Sequence, residues 1–219
     1  MKLNMAFQFN CPENVWVVGP SGSGKSTFVE KMCDTPWIWT EPPEKIYLFY
    51  GIDSSSADNI RRKHPEAIVS LGVPRNLDQP SEIFDKKVRE LVLFDDLAQE
   101  LNTSPHFTTL LIRGSHHLNL TVVKIDHFLY ANQREHRLQA QNYHVAVLFK
   151  NPKAVNQIKH YVRNMSVGDS DTVIEAYKDV HKTPFHHLVL DMRHDIADER
   201  LRIMSNIFRE DGDPQWLYL

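Results

Sequence analysis

The sequence has little of what marks a secreted, membrane-spanning or nucleic-acid-coating protein. Its 219 residues include two cysteines, Cys11 and Cys33, too few for a disulfide framework. They point to a reducing compartment, cytosol or nucleus. No apolar run approaches the roughly 20 residues that cross a bilayer, so no membrane partner is expected. Residues 1–10 carry one lysine and no long apolar stretch, which does not read as a signal peptide. Internal repeats and low-complexity tracts are absent. Net charge is only −3, which argues against a protein that coats nucleic acid by bulk electrostatics. The charge is unevenly spread, however. Between Arg113 and Arg163, eight Lys/Arg stand against two acids, Asp126 and Glu135, together with six histidines. That segment reads either as a solvated face or as a surface turned towards a polyanion.

What is present suits one α/β domain. Apolar residues make up 42% of the chain, ample for a core. Short, β-branched-rich runs recur at Val15–Val18, Ile46–Tyr50, Leu91–Phe94, Leu120–Ile125, Val145–Phe149 and Leu188–Leu190, as expected of buried strands in a mostly parallel sheet. Helical character falls between them, at Ser26–Met32, Asp53–Lys63, Ser81–Arg89, Pro105–Ser115, Pro152–Met165 and Ser170–Val180. Ser104 before Pro105 and Asn151 before Pro152 are helix-start signals. This alternation predicts a three-layer α/β domain over residues 1–219 with right-handed crossovers. Leu201–Phe208 alternates apolar and polar residues and is expected to add an edge strand. In the tail, 209–219, Trp216 and Tyr218 are expected to dock on the domain or on a neighbour. Trp37 and Trp39 are spaced to share one face, for core or subunit contact. His116–His117, His181 and His186–His187 lack a Cys or carboxylate to complete a metal ligand set and are expected at helix ends and turns.

The phosphate chemistry is specific. Gly19-Pro20-Ser21-Gly22-Ser23-Gly24-Lys25-Ser26 satisfies G-x-x-x-x-G-K-[ST] between a strand and a helix, with Thr27 next. Glycines there let backbone N–H groups turn inward and form an anion-binding concavity at a helix start. Lys25 is expected on the β- and γ-phosphates of a nucleoside triphosphate, and the Ser26 hydroxyl on Mg²⁺. A second element, Leu91-Val-Leu-Phe-Asp95-Asp96, is a hydrophobic strand ending in two carboxylates. This is Walker B chemistry: Asp95 serves Mg²⁺ and Asp96 polarises the attacking water. No Asn-Lys-x-Asp guanine-reading motif and no ABC-type signature occurs, so ATP is the expected nucleotide. Arg134–Arg137 has the composition of a kinase lid, which keeps a nucleotide or small-molecule kinase open. A non-catalytic nucleotide-switched assembly subunit is a third reading.

Several stretches together resemble one family over nearly the whole chain. They are Val18–Phe28, Pro42-Pro-Glu-Lys-Ile46, Tyr50-Gly51, Gly72-Val-Pro74, Phe94-Asp-Asp-Leu97, Gly114-Ser-His-His117, Leu148-Phe-Lys-Asn-Pro152 and Leu201–Phe208. They resemble the genome-packaging ATPases of the FtsK–HerA superfamily, in the branch of Polinton/Maverick elements and adintoviruses, with the poxvirus packaging ATPase more distant. The resemblance implies an ASCE/RecA-like P-loop domain and a ring homo-oligomer, typically a hexamer. It implies ATP hydrolysis that moves double-stranded DNA into a capsid, with capsid proteins as partners, in host cytoplasm or nucleus and transiently at the virion. It places an arginine at Arg137 to reach a neighbour's γ-phosphate, with Arg134 as fallback. At the end of the sensor strand the family has glutamine, whereas this sequence has His127, a residue that titrates near neutrality and would make activity pH-sensitive. DNA contact is expected from a pool of Lys124, Arg134, Lys150, Lys153, Lys159 and Arg163, through phosphates rather than bases.

Overall fold

Apolar β-branched runs bury on both faces only as interior strands, and they do so here. The computed structural model describes residues 7–52, 55–129, 133–165, 169–196, 198–209 and 215–218. Its strands are β1 (Asn14–Val18), β2 (Lys45–Tyr50), β3 (Ile68–Leu71), β4 (Glu90–Asp95), β5 (Leu120–Asp126), β6 (Val145–Phe149), β7 (His187–Asp191), β8 (Ile203–Ser205) and β9 (Trp216–Leu217). They form one sheet in the order β3-β2-β4-β5-β1-β6-β7-β8-β9. The six strands from β3 to β6 are mutually parallel, and β7, β8 and β9 continue antiparallel.

Alternate residues along β1 enter two different cores. Trp16 and Val18 pack with residues of α3 (Ala98–Leu101), α4 (Pro105–Thr109), α7 (Val155–Met165) and α8 (Ser170–Val180). Val15 and Val17 pack with Phe28, Val29 and Met32 of α1 (Lys25–Asp34) and with Ala57 and Ile60 of α2 (Ser55–Lys63). Helices thus cover both faces, giving the three-layer α/β architecture. Among the described residues, no helix is long and apolar enough to cross a membrane.

The six expected runs are all strands, and Ser170–Val180 is a helix over those residues. Ser104 caps α4, its side chain accepting from Phe107 N at 3.1 Å. From Leu110 to Gly114 that helix widens into a π turn, and it closes with the short α5 (Ser115–His117). Tyr218 docks on the domain, its hydroxyl 3.3 Å from Asp179 Oδ2.

Five expectations need correction. Ser81–Arg89 is not a helix: a 3-10 turn, Pro80–Glu82, gives way to a local turn in which Asp85 Oδ1 accepts from Lys87 N at 3.0 Å. Local side-chain bonding of that kind competes with the helix ladder. The helix after Asn151 starts at Val155, because Asn151 Oδ1 binds Lys153 N in a turn instead of capping. β8 is not the sheet edge, since β9 pairs beyond it. Trp37 and Trp39 do not share a face: the 3-10 turn Pro36–Ile38 leaves Trp37 exposed while Trp39 is buried with Phe9. Lastly, Lys124 belongs to no DNA-facing surface, being 1% exposed. β3 escaped the sequence reading altogether, because Ser70 interrupts a short run whose residues are mostly solvent-facing.

Lys124 is held by its surroundings. Its ammonium pairs with Asp126 Oδ2 at 3.0 Å and donates to Asn102 Oδ1 and Gln139 Oε1. Trp16 Nε1 donates to the same Asp126 oxygen at 2.7 Å. Gln139 lies on α6 (Arg134–Ala140), so this buried cluster ties β1, β5, the end of α3 and α6 together. Burial lowers the Lys124 pKa while Asp126 opposes the shift. Lys124→Met strands the carboxylate in the core and is expected to cost about 3–5 kcal/mol. Urea unfolding checks this as a lower midpoint with unchanged slope.

Candidate nucleotide-binding site

Strand register assembles the site. Val18 pairs with Asp126 and Asp95 pairs with Ile125, so β1, β4 and β5 end side by side. Each hands its chain to a residue of interest: Gly19, Asp96 and His127. Ligands of open α/β sheets gather at such carboxyl ends. Gly19 N donates to Asp126 O at 3.1 Å, fixing the start of the phosphate loop against β5.

The loop then turns through Gly24, whose φ of 104° lies in the left-handed region that favours glycine, and α1 begins at Lys25. Gly24 caps this helix without a side chain, which leaves the first N–H groups of α1 facing the loop. Ser21, Gly22 and Thr27 are exposed, while Pro20, Ser23, Gly24 and Ser26 are half-buried. Ser23 Oγ is buried without a hydrogen-bond partner, a polar atom that an anion or its shell would satisfy.

Lys25 is 6% exposed. Its Nζ donates to Gly19 O at 2.7 Å and Pro20 O at 3.0 Å, and lies 3.5 Å from His127 Nδ1. His127 Nε2 is 3.2 Å from Asp96 Oδ1. An ammonium only donates, so the network assigns Nδ1 as acceptor and Nε2–H as donor to the carboxylate. The imidazole thus bridges the Lys25 ammonium and the Asp96 carboxylate. Burial depresses the Lys25 pKa, and Asp95, Asp96 and Asp126 work against that. Asp95 is raised, first by burial and then by the adjacent Asp96 charge. The two crowded carboxylates are oxygen donors of the kind Mg²⁺ takes, and a cation there would relieve the Asp95–Asp96 repulsion.

Asp96 adopts φ 56°, unusual for a residue with a Cβ and tolerated best by Asn, Asp and Gly. Gly51, just past β2, accommodates that turn. Its N–H donates to Asp95 O at 2.9 Å, and a Cβ on Gly51 would overlap the Asp96 carbonyl oxygen. This requirement is invisible in the motif itself, although Tyr50-Gly51 is among the family-like stretches. Gly51→Ala should displace both Walker B carboxylates and lower turnover by roughly 10²-fold, the usual penalty of about 1 Å of misplacement. Steady-state hydrolysis alongside a melting curve checks it; equal turnover in a folded variant contradicts it.

The structure thus brings Gly19–Thr27, Asp95, Asp96 and His127 to the same end of the sheet, where β1, β4 and β5 finish side by side. Arg137 stands apart on the exposed side of α6, whose inner face carries the buried His136, Gln139 and Ala140. Among the described residues its guanidinium joins none of the hydrogen bonds of the phosphate site. Arg134 is also exposed and lies 3.9 Å from Glu135.

No protein-family model matches this sequence, and comparison with curated proteins gives no match. Solved structures do match in shape. The genome packaging NTPase B204 from Sulfolobus turreted icosahedral virus 2, in complex with AMPPCP, superposes with a TM-score of 0.57 at 14% identity, covering 95% of this chain and 97% of that one. The complex of the same protein with ATP-gammaS gives 0.56 at 17% identity, over 95% and 98%. B204 described as the DNA-packaging ATPase from Sulfolobus turreted icosahedral virus gives 0.58 at 13% identity, over 96% and 98%. At such identities the likeness establishes a shared α/β fold over nearly the full length of both chains.

Proposed function

We propose that the protein is a magnesium-dependent ATPase that drives double-stranded DNA into a viral or viral-like capsid as a ring homo-oligomer. One observation carries the catalytic part: buried Lys25 and half-buried His127 and Asp96 form a continuous bridge across the ends of three adjacent parallel strands. Lys25 and the loop N–H groups would hold the β- and γ-phosphates. Ser26 and Asp95 would hold Mg²⁺, which supplies charge neutralisation to the phosphates. Asp96, oriented by His127, would take the proton of the attacking water. The water oxygen bonds to the γ-phosphorus as the bond to the β–γ bridging oxygen breaks, giving ADP and phosphate. His127 is then a working replacement for the glutamine of the resembled family, consistent with an active enzyme.

The DNA part is supported by the family-like stretches and by a fold shared with proteins described as packaging ATPases. In the basic central segment Arg113, Arg134, Arg137, Lys150, Lys153 and Arg163 are exposed, a set that a ring would multiply around a phosphate backbone. Purified protein with ATP, Mg²⁺ and duplex DNA tests the reading. Hydrolysis should rise with added DNA and disappear in Asp96→Asn. Release of ADP that depends on a small acceptor and ignores DNA would make the protein a kinase instead. ATP binding without phosphate release would make it a switched assembly subunit.

A further inference from the structure

The phosphate loop has two sides in the sheet order β4-β5-β1-β6-β7. Asp95, Asp96 and His127 lie on the β4–β5 side. A γ-phosphate placed for attack points that way, so the rest of the nucleotide leaves towards β6 and β7. A cleft of about 550 Å³ opens there, between the loop, α1, and the chain segments flanking β7 and following β8. Its volume falls within the range of small-molecule sites.

One wall of the cleft is aromatic. Phe28 meets the His187 ring at 4.7 Å and the Phe208 ring at 5.2 Å, and Phe149 meets His187 at 5.5 Å. Phe185 stands at the cleft with 70% of its surface exposed and a left-handed φ of 63°. Its Cβ and Cδ1 come within 3.6 and 3.7 Å of where a Cβ on Gly24 would sit, so it overhangs the phosphate loop. A non-glycine residue held at a left-handed φ beside a ligand loop is a strained position of the kind found at binding sites. His187 supplies the second feature. It is 7% exposed, lines the cleft, and its Nε2 is buried with no hydrogen-bond partner. Burial pushes its pKa down to about 3, so near neutrality the ring is uncharged and offers one hydrogen bond without a charge. An orphaned polar atom in an aromatic wall is costly unless a ligand group meets it.

We propose that this cleft holds the nucleoside of a purine nucleoside triphosphate, with Phe185 stacked on the base and His187 Nε2 hydrogen-bonded to the nucleoside. This rests on the phosphate-loop reading and adds to it the residues that recognise the other end of the ligand. Recognition through a ring face favours the two fused rings of a purine over the single ring of a pyrimidine, and discriminates little between adenine and guanine.

Equilibrium binding of ATP, GTP, CTP and inorganic tripolyphosphate to wild type, Phe185→Ala, Phe185→Trp and Lys25→Ala tests it. Wild type should bind ATP and GTP similarly, both tighter than CTP, and CTP tighter than tripolyphosphate. Phe185→Ala should weaken ATP by roughly ten-fold, in the range of a lost base–aromatic stack, and leave tripolyphosphate unchanged. Phe185→Trp should restore the gap. Equal loss of ATP and tripolyphosphate in Phe185→Ala, or no loss of either, overturns the base site while leaving the phosphate loop intact. Wild-type binding of all four ligands that is unaffected by Lys25→Ala overturns the phosphate-loop reading itself, and with it this proposal.

Discussion

Lys25→Ala is expected to reduce ATP turnover by roughly 10²–10³-fold or more, the scale of removing one charge-stabilising donor from a water-excluded site. The effect is large because of where the ammonium sits. It is almost wholly buried, gripped by two loop carbonyls, and joined through His127 to Asp96. Three carboxylates, Asp95, Asp96 and Asp126, support its charge against burial. Alanine removes both the phosphate contact and the cation those carboxylates face, so Asp95 rises further and becomes a poorer metal ligand. The fold should survive, because deleting a desolvated cation also deletes its burial cost. Turnover measured beside a thermal melt separates the two effects. Undiminished hydrolysis would move the catalytic site elsewhere.

Arg137→Ala should cut turnover by about 10³-fold with ATP affinity nearly unchanged, the scale of a lost arginine finger. The residue lies on the exposed face of α6, whose other face is locked by Gln139 to Leu101 O at 2.8 Å and Thr108 Oγ1 at 3.1 Å. On the proposed ring reading, this exposed arginine serves a neighbouring subunit's γ-phosphate. Mixing Arg137→Ala with Asp96→Asn therefore should restore part of the activity, since some interfaces then pair an intact arginine with an intact Asp96. Mixing that restores nothing argues that the arginine does not act across an interface.

Much of this site is legible in the sequence because its parts are local. The phosphate loop is one contiguous motif, and the Walker B strand announces itself as four apolar residues before Asp95 and Asp96. The six apolar runs are strands for the same reason: burial on both faces needs no long-range information. The remainder depends on register and packing. Nothing local to Ile125-Asp126-His127 says that the imidazole bridges Lys25 and Asp96; the pairings of β5 with β1 and β4 do that. Lys124 sits in a run of strand residues and reads as a surface cation until Asp126, Asn102 and Gln139 close around it. Gly51 matters for a backbone oxygen 45 residues further along, which no spacing rule encodes. The cleft of Phe185 and His187 forms only when the antiparallel strands fold back beside the loop, so its residues carry no motif. Ser81–Arg89 failed in the opposite sense: helical composition lost to the local bonding of Asp85.

The most direct measurement of the central claim is displacement of a third strand from triplex-tipped duplex DNA by the purified protein with ATP and Mg²⁺. A DNA-translocating ATPase releases the third strand as it runs along the duplex, at a rate that falls with Asp96→Asn and with a non-hydrolysable ATP analogue. Retention of the third strand under conditions where ATP is being hydrolysed would contradict the account, leaving an ATPase that does not move DNA.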